Sequence, residues 1–533
     1  MPVYESDVCI IGAGITSAMV AEKLAELRPG LSIRVVEAGR RIFDLNRRFA
    51  LRKRSQEYGE NPWPNDFIPD QIADGQISHT MAVGGQALHW GGTCNRFSAE
   101  DLELKTRYDL YEDWALKWSE LEPFYCEAER RLGVSGSYSL YPDDKQSQPY
   151  PMEPMPLSWN LIQYKEWGKK SGLDFQGVPQ AKNTRPYGGR AQCQRCGTCA
   201  ICPTGAKYSP DFTFQQLLAA RRITLDDRTL IRQLVLDSSR DTILAARGSR
   251  YGTGEQVEYH APIFVLANGY TWSSHLLLLS RSSRYPNGLA NRTGQVGRYM
   301  NGHEFTTAMV EMDAAIYPGM NPDYGLVCRK FFRCKPGGLY VRHDLRIFEA
   351  ERDQARLKNE HGQLMFGDEV AADWRSRHVV NGRTRGTARV RAYCDVHPAQ
   401  NSELTLDPAR KNEWGDPLPK IVHRFDAATL ARDAATQQHL AQLFSQLARE
   451  NNGKVLASSR GNYLDHPAGG CRMGNDPASS VCDSYGRTHN HENLFVVGAP
   501  TLPTAGCTNG TLTFSAVSLR SAGEIAKAFP ARA

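Results

Sequence analysis

The sequence predicts a mixed α/β and α+β architecture, on three observations. A short apolar run, Asp7 to Ile11, passes straight into the turn Gly12-Ala13-Gly14-Ile15-Thr16-Ser17 and then a helical pattern through Leu27. Between Thr306 and Arg424 apolar residues alternate in short runs, Thr387 to Val396 and Ser402 to Leu406 among them, with a proline-rich turn at Gly415 to Pro419, which is the pattern of strands and hairpins. A long helical pattern, Ala427 to Glu450, then returns the chain to its carboxyl-terminal stretch. At 533 residues the chain is too long for one ordinary core, so two intertwined domains are expected.

The amino-terminal elements have a specific chemistry. Gly12 allows the tight turn, Gly14 lets the backbone approach a pyrophosphate, and the following helix presents its free N–H groups to that anion. Ser17 stands where a third glycine is usual, small enough for close helix–strand packing. A second strand, Ser32 to Val36, ends in Glu37, where a carboxylate can bind ribose hydroxyls. Strand, turn, helix, strand and acid in that order define a dinucleotide site; they do not separate FAD from NAD, because both place an ADP moiety in the same way.

Composition narrows the class. A 41% apolar and 23% charged chain is a soluble globular one. The net charge of +6 is mild over this length, and no Lys/Arg-dense arm interleaves with aromatics, so nucleic acid is not expected as a partner. The basic run Arg47 to Arg54 reads as a solvated helix face. No run approaches the ~18 apolar residues of a membrane span, and Met1 to Asp7 leads directly into a strand with no signal peptide before it. Nine of the 13 cysteines are scattered singly and read as small buried hydrophobes, so a secreted disulfide framework is not expected.

Ala82-Val83-Gly84-Gly85-Gln86-Ala87-Leu88-His89-Trp90-Gly91-Gly92 resembles the glycine-rich flavin segment of the glucose–methanol–choline (GMC) oxidoreductases. Asp113-Trp114, Leu121 to Tyr125, Val265 to Gly269, Leu276 to Ser280 and Val296-Gly297-Arg298 are similar to further landmarks in the same order. The most specific are His466-Pro467-Ala468-Gly469-Gly470-Cys471-Arg472-Met473-Gly474, Asn493 to Ala499 and Thr508-Asn509-Gly510-Thr511-Leu512-Thr513. Two positions depart from the pattern: Ser273-Ser274 replaces a Thr-Pro pair, and Gly510 a proline. The resemblance implies FAD in a discontinuous Rossmann-like domain, residues 1–150, 204–305 and 465–533. It also implies a cysteine-rich segment at 151–203 and an antiparallel-sheet substrate domain at 306–464, a p-hydroxybenzoate-hydroxylase-like topology. The cofactor set would be Gly12, Gly14, Ser17, Glu37, Gly84, Gly85, His89, Trp90, Gly498 and Ala499. At His89 the sequence leaves open whether FAD is covalently attached or only packs there.

Oxidising an alcohol needs a base for the hydroxyl proton and an acceptor for the hydride. A neutral imidazole suits the first task in pKa, and by resemblance His466 takes that role. Asn509 would hold the substrate oxygen so that the carbinol hydrogen points at flavin N5; on its own it would read as turn chemistry.

Cys193, Cys196, Cys199 and Cys202 are separated by two residues each, with Pro203 after the last. Thiolates so spaced converge on one soft metal centre. The run is one residue short of the ferredoxin pattern C-x₂-C-x₂-C-x₃-C-P, so spacing leaves an iron–sulfur cluster, a structural zinc and metal-free thiols all open. The flanks Pro149 to Pro151, Pro156 to Ser158, Arg185 to Tyr187 and Pro203 to Tyr208 resemble the bacterial GMC dehydrogenase subunits that act on glucose, gluconate, fructose or glucosides. That branch implies a three-iron cluster (3Fe-4S) on Cys193, Cys199 and Cys202, with Cys196 completing a four-iron site (4Fe-4S) or left free. A one-electron centre beside a flavin would let electrons leave singly to a cytochrome or quinone carrier. A sugar or polyol dehydrogenase is therefore expected, ahead of an oxygen-using alcohol oxidase or a non-redox FAD-binding protein. Such relatives can be exported with a small escort subunit, so the bacterial periplasm and the cytoplasm both remain open.

Overall fold

A computed structural model describes residues 1–41, 67–69, 78–138, 146–196, 199, 202–237, 239–313, 316, 324–333, 339, 341–349, 359, 361–380 and 383–530. The basic run Arg47 to Arg54 lies outside the described residues, as do four of the residues between the clustered cysteines.

The apolar runs of the amino-terminal motif build a five-stranded, fully parallel sheet in the order Leu494–Val496, Ile263–Leu266, Val8–Ile11, Ile33–Val36, Thr224–Asp226. Strands Val8–Ile11 and Ile263–Leu266 are buried at every position, as a sheet covered on both faces requires. One face is covered by helices Ile15–Leu27 and Thr511–Lys527, the second packing in turn on Trp118–Leu132. On the other face Ile231, Leu234, Ile243 and Val257 pack in from a four-stranded sheet, together with Leu276 and Leu277 of helix Gly269–Leu279. The first and last stretches of chain thus share one core. Ser273 and Ser274 fall in the second turn of that last helix, past its start at Gly269.

The alternating runs form a six-stranded antiparallel sheet in the order Lys454–Ala468, Asn301–Met312, Gly386–Cys394, Leu345–Glu349, Gly325–Cys328, Gln176–Gly177. Its faces divide by parity. Ala308, Val310, Ile347, Ala388, Val390 and Ala392 pack beneath Leu440, Phe444 and Leu447 of helix Ala427–Glu450 and Leu161 of helix Trp159–Lys170. The opposite parity, His303, Phe305, Arg346, Phe348, Arg389, Arg391 and Tyr393, makes the other face. The helix expected over Ala427 to Glu450 has those bounds, with Asp426 accepting from the N–H of Thr429 as its cap. The expected proline-rich turn is shorter than Gly415 to Pro419: it occupies 413–415, and Pro417 opens the strand Pro417–Val422, which among the described residues pairs only with Glu403–Lys411. A proline is tolerated on such an edge because its missing N–H faces no partner.

Candidate active site

Three groups of side chains occupy the junction of the two sheets. The first gathers at the amino terminus of helix Ile15–Leu27. Gly12 has φ +98°, and a Cβ there would lie 2.7 Å from the Ala267 carbonyl oxygen, so any side chain would push apart two adjacent strand ends. Gly14 caps the helix and faces open space, the room a phosphate needs. Gly84 donates its N–H to the Ala13 carbonyl at 2.8 Å, and a Cβ on Gly85 would lie 3.3 Å from the Gly14 Cα, so the second glycine pair rests on the first. At Gly498 (φ +79°) a Cβ would meet Thr16 Cγ2 at 2.4 Å. Ser17 is fully buried, with no hydrogen-bond partner for its hydroxyl among the described residues.

Glu37 accepts from the backbone N–H of Ala13 at 2.7 Å and of Gly39 at 2.8 Å, one on each oxygen. Each oxygen keeps a lone pair for a ribose hydroxyl. Burial pushes its carboxyl up to about 7, against the backbone donors that hold it down. A folded pKa raised above the unfolded one gives stability that is complete below the unfolded value and lost as pH rises through about 7. Near neutral pH the carboxyl is therefore poised between its neutral and anionic forms, and donated hydroxyls would favour the anion. Glu37→Gln must turn an amide N–H toward one of these backbone donors; we expect FAD to bind at least tenfold more weakly, about 1.4 kcal/mol, by equilibrium titration of the apoprotein. These residues fit an ADP moiety.

His89 follows the short helix Gly85–Leu88. Burial, reinforced by the Lys207 charge, depresses its imidazole to about 3, so it is neutral. Lys207 Nζ donates to the carbonyls of Leu88 (2.9 Å) and Trp90 (2.7 Å), and the Trp90 indole N–H donates to the Tyr208 carbonyl at 2.8 Å. The flavin-like segment is thus fastened from below by residues 207–208.

The second group centres on His466, where the strand Lys454–Ala468 reaches the parallel-sheet domain. Its φ of +52° is left-handed, an unfavourable conformation for histidine that the surroundings impose. Just beyond, a Cβ on Gly469 would lie 2.1 Å from the Tyr299 carbonyl oxygen and one on Gly470 2.4 Å from Ser274 Oγ. Gly469 N–H donates to the Ala499 carbonyl, which ties this loop to Gly498. Asn509 Nδ2 lies 2.5 Å from His466 Nε2. With the amide as donor, Nε2 accepts and the imidazole is neutral. Rings of His303 (5.2 Å) and Tyr393 (5.5 Å) stand edge-on to His466. At Gly510 a Cβ would lie 2.6 Å from the far edge of the Phe514 ring, so a proline there would need that ring to shift.

A buried network fixes this pair. Thr508 Oγ1 accepts from Asn95 Nδ2 and Arg346 NH2, both at 2.9 Å, and donates to Asp344 at 3.3 Å, which uses all its capacity. Arg346 Nε donates to Asp344 at 2.7 Å, the other Asp344 oxygen accepts from the Tyr393 N–H at 3.0 Å, and the guanidinium lies 4.7 Å from the Tyr393 ring centre. One carboxylate–guanidinium pair therefore positions both Asn509, through its neighbour, and the wall beside His466. His303, Tyr393, Asp344, Arg346 and Thr508 were not singled out from sequence; strand parity over 301–312 and 386–394 already puts His303, Phe305, Arg391 and Tyr393 on one face.

The third group is the cysteine segment. None of the four is in a disulfide among the described residues; Cys199 is buried and the other three half-buried. Cys193 Sγ accepts from the Arg195 N–H at 3.4 Å and Cys202 Sγ from the Lys207 N–H at 3.3 Å. Burial raises the Cys193 thiol, whereas the Lys207 and Thr204 donors hold Cys202 below its usual value despite burial. Thiols with backbone N–H donors and adjacent cations fit an anionic metal–thiolate centre in chemistry. In position, no group of three or more His, Cys, Asp or Glu side chains is gathered as a metal site among the described residues.

A dinucleotide cradle joined to a histidine–asparagine pair is an arrangement that suits a nucleotide-cofactor oxidoreductase. Residues 398–518 match the family model described as GMC oxidoreductase. The chain is 29% identical to the fructose dehydrogenase large subunit of Gluconobacter japonicus over 98% of its own length and 97% of the relative's. It is 28% identical to the 6'''-hydroxyparomomycin C oxidase of Streptomyces lividus over 98% and 91%. A formate oxidase structure from Aspergillus oryzae RIB40 shares the fold, with TM-score 0.65 at 14% identity over 99% of both chains. Residues 398–518 thus match the GMC oxidoreductases, and the whole chain is similar to enzymes that act on CH–OH groups.

Proposed function

We propose that this enzyme is a sugar or polyol dehydrogenase that passes electrons through an iron–sulfur centre at Cys193, Cys196, Cys199 and Cys202 to an external acceptor. The contact between Asn509 Nδ2 and His466 Nε2 is the observation that carries the catalytic part. A donor atom and an acceptor atom face each other, and a hydroxyl group is the ligand that can do both jobs. The substrate O–H would donate to Nε2 and accept from Nδ2, replacing the direct contact. His466 then takes the proton, and Asn509 holds the developing alkoxide in line. Bound FAD supplies the hydride acceptor and the iron–sulfur centre a one-electron exit. A relative named for fructose and the hydroxyl-matching pair together support a polyhydroxylated substrate. The cysteine chemistry supports a one-electron acceptor, such as a cytochrome or quinone, over dioxygen.

The test is to supply the holoenzyme with a panel of sugars and polyols and compare turnover with ferricyanide and with dioxygen. We expect ferricyanide reduction at least tenfold faster than peroxide release. Peroxide release at an equal or greater rate would contradict the dehydrogenase reading in favour of an oxidase.

A further inference from the structure

The hairpin of strands Glu403–Lys411 and Pro417–Val422 joins neither large sheet among the described residues, yet it is fastened to the dinucleotide domain at both ends. At its base Leu404 and Ile421 pack with Tyr270 and Met300 against Ala499, and the Leu404 N–H donates to the Gly297 carbonyl at 2.8 Å. At its tip Arg232 donates to both Asp416 oxygens, at 2.6 and 2.7 Å, and to the Trp414 carbonyl at 3.0 Å. Asn412 Oδ1 accepts from the N–H groups of Trp414 (3.0 Å) and Asp416 (2.9 Å), so the turn that carries the indole is held from inside as well. The Trp414 ring meets the Tyr251 ring at 4.5 Å between centroids and 66° between planes, and both are half-buried. Backbone hydrogen bonds place this aromatic pair. One Glu37 oxygen is on the Ala13 N–H of the pyrophosphate turn; the other is on the Gly39 N–H. From Gly39 the bonds lead outward: its carbonyl accepts from the Arg228 N–H at 2.9 Å, and the Arg228 carbonyl accepts from the Tyr251 N–H at 2.8 Å. Burial pushes the Tyr251 phenol up, and the Glu413 and Glu37 carboxyls add to that, as their nearness requires. In a dinucleotide cradle the pyrophosphate lies at the helix amino terminus and the ribose at the acid, so the adenine lies beyond the acid, on its outward side.

We propose that Tyr251 and Trp414 bind the adenine ring, the second of them brought to the dinucleotide domain by the hairpin. This rests on the FAD reading of the cradle. Adenine is a flat π surface that aromatic side chains hold by stacking or by edge contact, and two rings inclined at 66° offer one of each. The Arg232 guanidinium, 5.9 Å from the Trp414 ring centre, fixes the indole through the same side chain that clamps Asp416. Ordering the turn before the cofactor arrives lowers the entropy lost on binding.

The test titrates apoprotein with FAD for the wild type, for Tyr251→Ala/Trp414→Ala and for Tyr251→Phe/Trp414→Phe, with ADP as a competitor that carries only the adenosine half. We expect the alanine pair to weaken FAD about tenfold or more, the loss of roughly one base-stacking contact, and the phenylalanine pair to stay within about threefold of wild type. ADP should lose affinity by about the same factor as FAD, because the rings touch only the adenosine half. The single variants Tyr251→Ala and Trp414→Ala take the place of the alanine pair if it does not accumulate folded. Unchanged FAD affinity without the rings would overturn the proposal, as would equal losses in the alanine and phenylalanine pairs, which would mark the rings as anchors of the hairpin. Weaker FAD binding with unchanged ADP affinity would overturn it too. Failure of the wild-type apoprotein to bind FAD would instead defeat the FAD reading, and this inference with it.

Discussion

His466→Asn is expected to retain FAD and lower turnover by about 10²–10⁴-fold, the range for loss of a general base. Asparagine is the informative replacement because it tolerates the left-handed backbone that residue 466 adopts at φ +52°. The loop through Gly469 and Gly470 should therefore stay in place, and the lost activity reports chemistry rather than folding. Alanine at the same position adds ~1 kcal/mol of backbone strain and should lose stability as well as turnover. Steady-state kinetics with flavin content measured on the same sample decides it. A His466→Asn enzyme with more than a tenth of wild-type turnover would remove His466 from the proton-transfer role. Asn509→Ala should lose less, because it positions the oxygen without taking its proton.

Arg346→Met is expected to destabilise the protein by about 3–5 kcal/mol, the usual cost of stranding one member of a buried ion pair. Arg346 and Asp344 are both buried, and their side chains meet at 2.6–2.7 Å. Burial already pushes the Asp344 carboxyl up, with Arg346 as its main counterweight, so removing the guanidinium leaves a charge that must take a proton. Thr508 also loses one of its two donors, which frees Asn509, and Tyr393 loses the cation over its ring. Molecules that remain folded should therefore turn over more slowly. Denaturant unfolding and kcat measured on the same preparation check both effects. Neutralising Asp344 as well, in Asp344→Asn/Arg346→Met, should recover part of the stability and little of the turnover. A single variant as stable and active as wild type would contradict the positioning network.

The legible parts of the site were those whose chemistry needs neighbouring residues. A pyrophosphate-binding turn is local, so Gly12, Gly14, Ser17 and Glu37 could be read from spacing, and they do meet at one helix end. His466 and Asn509 lie 43 positions apart and were reached only through family resemblance; in the structure their side chains touch. The Asp344, Arg346 and Thr508 network was hidden because the acid and base sit two residues apart at one strand's start, where such a pair looks like solvated surface, and Thr508 comes from the far end of the chain. Lys207 is harder still, since nothing local distinguishes a buried lysine from an exposed one. The turn near 415 was misjudged in length because proline was read as a turn former, whereas on an unpaired strand edge it is also a tolerated strand residue. The cysteine spacing indicated soft-metal chemistry, but convergence of four thiols is a three-dimensional property that spacing does not fix.

The central claim joins FAD oxidation of a hydroxyl to an iron–sulfur exit within one chain. The most direct measurement is the absorption and EPR spectrum of anaerobically purified enzyme, before and after adding sugars and polyols. The account predicts that a substrate bleaches the flavin absorbance and changes an iron–sulfur EPR signal in the same sample. A flavin that bleaches with no iron signal in either state would contradict it.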